Sequence, residues 1–133
     1  SGRICKEDTD MSGNLYTLNY LQEEKILHLQ FSIATIDKNT ADAIYDSYTK
    51  EPNLPDFTDF ILDARSVTEI SDPALGILMK SMGVMKKAKG YLVIVMTEEF
   101  LQKIMIAHPE MFNFMAVFHS LEEARTYIKK SKQ

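Results

Sequence analysis

The sequence of 133 residues has a single cysteine, Cys5, which excludes an internal disulfide framework and makes a reducing compartment the expectation. It has no apolar run approaching the roughly 18 residues of a membrane span and no visible signal peptide, so a cytoplasmic chain, or a cytoplasmic piece of a larger protein, is expected. Positive charge is not in excess: the formal net charge is -4, and no basic stripe suggests nucleic acid. The few glycines build no phosphate-cradling loop, because Gly76, Gly83 and Gly90 lie seven residues apart in or beside one helical stretch. GxSxG, HExxH and CxxC are absent, so neither a nucleophile elbow nor a metal site of those kinds is expected. No metal, cofactor or catalytic residue is predicted.

What remains is an ordinary globular composition, 45% hydrophobic and 26% charged, at a length that suits one domain with its own core. Ser1-Gly2 reads as a cloning remnant and residues 1–13 as a flexible arm. Met11 is either a natural start or an internal residue of a domain cut from a longer protein. Residues 14–133 carry the periodicity.

The chain is organised around Phe60 to Met96. FILDA has the length and apolarity of a buried strand, RSVTEIS is a polar loop, and Asp72-Pro73 opens a helix. Asp72 is the expected N-cap, with Pro73 at the first helical position, where no N–H is needed. Gly90 is expected to close that helix in the left-handed conformation. YLVIVM follows as a strand buried on both faces. Strand, helix and strand make a right-handed crossover between parallel neighbours.

Before this unit, Asn14–Leu21 and Ile26–Phe31 alternate across the short turn QEEK and predict an antiparallel hairpin. Asp37–Glu51 is amphipathic, with Asn39 or Thr40 as cap. After it, Thr97 caps a helix with Phe100, Leu101, Ile104 and Met105 inward, and Pro109 stops it. A short strand lies within Phe112–Phe118. Ser120 and Glu123 form a capping box for the last helix, which buries Leu121, Ala124 and Ile128.

Few residues suggest chemistry. His28 reads as a strand residue on the wetter face, and His108 and His119 as surface or interface histidines. Asp63 ends its strand where catalytic groups of α/β enzymes gather, but a carboxylate there also binds loop N–H groups. On the central helix, Leu75, Leu78, Met79, Met82, Met85 and Lys86 form the core stripe. Ile77 and Val84 point the other way, flanked by Pro73, Lys80, Ser81 and Ala88, which predicts an apolar docking face.

FILDARSVTEISDPALGIL resembles the signature of STAS domains, the anti-sigma-factor antagonist and sulfate-transporter family. The resemblance extends over about Asn14 to Lys130 and takes in the late SLEEA segment. It implies an α/β, STAS-like (SpoIIaa-type) single domain: a mixed β-sheet of about five strands with a hairpin start, β-α-β crossovers and four helices. The family's D-S-S-G-L-G becomes Ser71-Asp72-Pro73-Ala74-Leu75-Gly76, so the phosphorylated serine position is occupied by Pro73, which has no hydroxyl. Ser71 is the remaining candidate for phosphorylation. The resemblance implies a signalling module of transcription regulation, not an enzyme. It would capture an anti-sigma factor of the kinase-like ATPase type through Arg65, Ser66, Ser71, Asp72, Pro73, Ile77, Lys80, Ser81 and Val84. Two alternatives stay open: a STAS domain of a larger transporter or sensory scaffold, and a small α/β enzyme using Asp63.

Overall fold

The computed structural model describes residues 15–49, 56–85, 90–113 and 116–132. The predicted arm at 1–13, Asn14, the Pro52 and Pro55 linker and the segment 86–89 lie outside the described residues, as do the side chains of Ser81, Met82, Val84 and Met85.

The predicted hairpin is β1 (Tyr16–Leu21) and β2 (Ile26–Phe31), paired antiparallel with Tyr16 opposite Phe31 and Leu21 opposite Ile26. A two-residue strand, β3 (Thr35–Ile36), leads into α1 (Lys38–Thr49). Then follow β4 (Asp59–Asp63), a second two-residue strand β5 (Glu69–Ile70), and α2 (Asp72–Met85). The chain continues through β6 (Leu92–Val95), α3 (Glu98–Ala107), a 3-10 helix (Pro109–Asn113), β7 (Ala116–Phe118) and α4 (Leu121–Ser131). The main sheet has the order β1-β2-β4-β6-β7, and every pair after the hairpin is parallel. The crossovers β4-α2-β6 and β6-α3-β7 are therefore the predicted kind. Sequence periodicity did not predict β3 and β5, which pair parallel with each other as a separate ribbon.

Alternation of side chains sorts the core into two layers. Leu27, Leu29, Phe31, Phe60, Leu62 and Ile94 face one side, where α1, α2 and α3 contribute Ala41, Ile44, Leu75, Leu78, Phe100 and Ile104. Ile26, Ile61, Val93 and Val95 face the other, where α4 is the covering helix among the described residues, with Ala124 and Ile128 buried. Burying one such aliphatic side chain contributes about 1.5–3 kcal/mol.

Several local expectations are corrected. The N-cap of α1 is Asp37, whose Oδ1 accepts the Thr40 N–H at 2.8 Å, rather than Asn39 or Thr40. The cap of α2 is Ser71, whose Oγ accepts the Ala74 N–H at 3.2 Å, so Asp72 and Pro73 each stand one position further in. Gly90 is not left-handed; a Cβ there would meet Asp59 Oδ1 at 1.9 Å, so glycine is required by close approach to a buried carboxylate. Met105 is 52% exposed rather than part of the core stripe, because α3 turns only Phe100 and Ile104 fully onto the sheet. The caps at Thr97 and Ser120 are as predicted: Thr97 accepts the Phe100 N–H and Ser120 accepts the Glu123 N–H, each at 3.1 Å.

Candidate docking site

The carboxyl ends of the parallel strands carry the loop from Arg65 to Ser71, and inward-directed polar side chains hold it. The Ser66 hydroxyl lies 2.9 Å from the Phe31 carbonyl and 2.8 Å from that of Ile33, and donates between them. The Thr68 N–H donates to the Ala34 carbonyl at 2.8 Å, and Lys103 on α3 donates to the Thr68 carbonyl at 3.1 Å. The Ser71 N–H reaches the Ile36 carbonyl at 3.1 Å, so the β3–β5 ribbon runs directly into the cap of α2. Val67 is buried beneath the loop.

Above these tethers the first turn of α2 is open. Ser71, Asp72, Pro73 and Gly76 are all exposed, and the Asp72 side chain keeps 83% of its accessible surface. Its Oδ1 lies 3.0 Å from His108 Nε2, and His108 Nδ1 lies 3.5 Å from Glu110 Oε1. Hydrogen bonding to Asp72, and secondarily to Glu110, raises the His108 pKa above its ordinary 6.5 despite partial burial. No spacing in the sequence relates Asp72 to a histidine 36 residues on. The one legible hint was a pairing of types: a histidine at a helix carboxyl end and an aspartate at a helix amino end, each favoured by its dipole.

Asp63 forms a second cluster, on the α4 side of the sheet. Its carboxylate accepts from Arg65 Nε at 2.9 Å, Arg65 Nη2 at 2.6 Å, the Arg65 N–H at 3.2 Å and His28 Nε2 at 3.0 Å. Burial opposes its charge, but the bonds from His28 and Arg65 outweigh it and hold the carboxyl well below the usual carboxylate range. His28 is therefore not on a wet face. It is 4% exposed, and its burial is tolerated because Asp63 satisfies the ring. A carboxylate so held is a weak base. The apolar cavity in the larger core is about 30 Å³, space for little more than one water, and does not include Asp63.

The predicted site residues therefore separate. Ser71, Asp72, Pro73 and Lys80 lie exposed on the early turns of α2. Arg65 and Ser66 belong to the same loop, but the Arg65 guanidinium is turned back onto Asp63 and the Ser66 hydroxyl onto the β2–β3 connection. Ile77 is half-buried against the core rather than standing on a free face. Its flank meets α1, as Lys80 one turn later shows with its ammonium 6.0 Å from the centre of the Tyr45 ring. The Ser81 and Val84 side chains lie outside the described residues.

No family model matches the chain, and no curated protein matches it. Among solved structures it is similar to an uncharacterized protein of the DUF3478 family from Shewanella loihica PV-4, which has a SpoIIAA-like fold. The TM-score is 0.52 and the identity 11%, over 85% of this chain and 91% of that one. The fold of this chain is accordingly SpoIIAA-like, the STAS type that the central signature resembles. No helix among the described residues is long and apolar enough to cross a membrane.

Proposed function

We propose that the chain is a protein-binding regulatory module of the anti-sigma-factor-antagonist kind. The partner is a kinase-like anti-sigma ATPase, captured at the edge formed by the 65–72 loop and the first turns of α2. One observation carries the reading: the exposed turn Ser71-Asp72-Pro73 stands on a loop tied down by Ser66, Thr68 and Lys103. A fixed polar edge binds without the entropy cost of ordering a loop. With Pro73 at the usual phosphoserine position, capture is constitutive or controlled elsewhere. Phosphorylation of Ser71 would add about -1.5 to -2 charges at the α2 amino end but beside Asp72, and would consume the cap that Ser71 supplies to Ala74. Cytoplasmic action follows from this reading.

The experiment is calorimetric titration of the purified chain with a kinase-like anti-sigma ATPase of the source organism. Asp72→Lys should weaken binding by roughly tenfold or more, equivalent to about 1.4 kcal/mol. Full affinity in Asp72→Lys and in Ser71→Glu, with circular dichroism unchanged, would sink this reading.

A further inference from the structure

His108 has a carboxylate on each ring nitrogen: Asp72 at 3.0 Å on Nε2 and Glu110 at 3.5 Å on Nδ1. A neutral imidazole carries one N–H, so one of those contacts would set a nitrogen lone pair against carboxylate oxygens. The imidazolium is favoured because it turns an N–H towards each carboxylate. The histidine also caps α3, its backbone N–H donating to the Ile104 carbonyl at 2.7 Å, so its positive form stands at the negative end of that helix dipole. Asp72 stands at the positive end of α2. Among the described residues, Asp72 of α2 and Glu110 of the 3-10 helix are the charged groups that act on the ring.

We propose that His108 is a proton-operated latch on the docking edge: as imidazolium it ties the first turn of α2 to the end of α3 through charge, and on losing its proton it keeps one N–H for two carboxylates and loosens its hold on Asp72. The proposal rests on the docking reading for its consequence, since loosening makes a carboxylate at the partner-facing turn more available. The latch itself belongs to the isolated chain. Because the folded pKa is raised, the stabilisation is complete below 6.5 and is lost as pH rises through the folded value. Acidic conditions tighten the latch, and alkaline conditions loosen it and make Asp72 more available to a basic group of a partner.

The test is a pH titration of the isotopically labelled full chain by NMR, following the His108 ring and the amides of Ala74, Leu75 and Gly76. The ring should titrate above 6.5, and its midpoint should fall towards that value in Asp72→Asn and in Glu110→Gln. The three amides should shift with the ring's midpoint in the parent and lose that transition in His108→Gln. A midpoint unmoved by Asp72→Asn overturns the proposal, as do α2 amides that ignore the ring's transition. Neither result depends on whether the anti-sigma ATPase binds.

Discussion

At the scale of residues, the Asp63 carboxylate illustrates how much a buried group depends on its partners. It is fully buried, and its acceptor capacity is filled by His28, the two Arg65 side-chain N–H groups and the Arg65 backbone. Removing Asp63 would leave a buried imidazole and a guanidinium without their anion, so Asp63→Ala should cost about 3–5 kcal/mol in urea unfolding. The pH dependence has a definite sign. The folded carboxyl lies below its ordinary 3.8, so its contribution is complete above that pH and is lost as pH falls below it toward the folded value. Asp63→Asn should flatten the acid limb of the stability profile, and an unchanged limb would show that the cluster contributes nothing to acid sensitivity. The sequence made Asp63 legible as a strand-end carboxylate. It could not show that His28 belongs with it, because the pairing of β2 with β4 that brings them together spans 35 residues.

At the scale of elements, Gly90 is the sharpest case. Asp59 is buried at the start of β4, where it accepts the Tyr91 N–H at 2.7 Å and binds Lys132 from the end of α4. Gly90 passes so close that any side chain would enter the carboxylate. Gly90→Ala should therefore destabilise by about 1–3 kcal/mol, the usual cost of overpacking, and thermal unfolding measures it. If the variant matched the parent, the close approach would not be what keeps glycine there. The sequence marked this glycine correctly as special but for a different reason, since a helix cap and a close contact both select glycine. Elements with strong periodicity were legible, namely the hairpin and the central crossover, and so were the Thr97 and Ser120 caps, although the Glu123 carboxylate reaches the His119 N–H rather than closing a box on Ser120. The caps of α1 and α2 were misplaced because several capping residues stand side by side in each stretch. The choice between them is made by the β3–β5 ribbon, which pins the Ser71 N–H to Ile36. Two-residue strands have no period to read. The placement of Ile77 on a free face is corrected for a similar reason: the helical wheel shows the side opposite the sheet but not a second helix lying against it.

At the scale of the whole molecule, three helices share one side of the sheet and α4 is the helix on the other among the described residues. Both layers are built on alternate residues of the same strands, so neither can be lost without the other. Far-UV circular dichroism and tyrosine fluorescence should report coincident unfolding curves. Ile128→Ala, on the thinner layer, should lower both together by about 2–5 kcal/mol. Separate transitions would mean that α4 melts independently. The position of Lys132 has one more consequence. It binds Asp59 at the amino end of β4, whereas the proposed docking edge leaves the carboxyl end of that strand, four residues or about 13 Å away. Leu15, by contrast, accepts the Ser32 N–H at 2.8 Å, beside the β2–β3 connection to which Ser66 is tied. A tether that pulls on the end of α4 would thus hold the module from behind and leave the proposed docking edge facing outward.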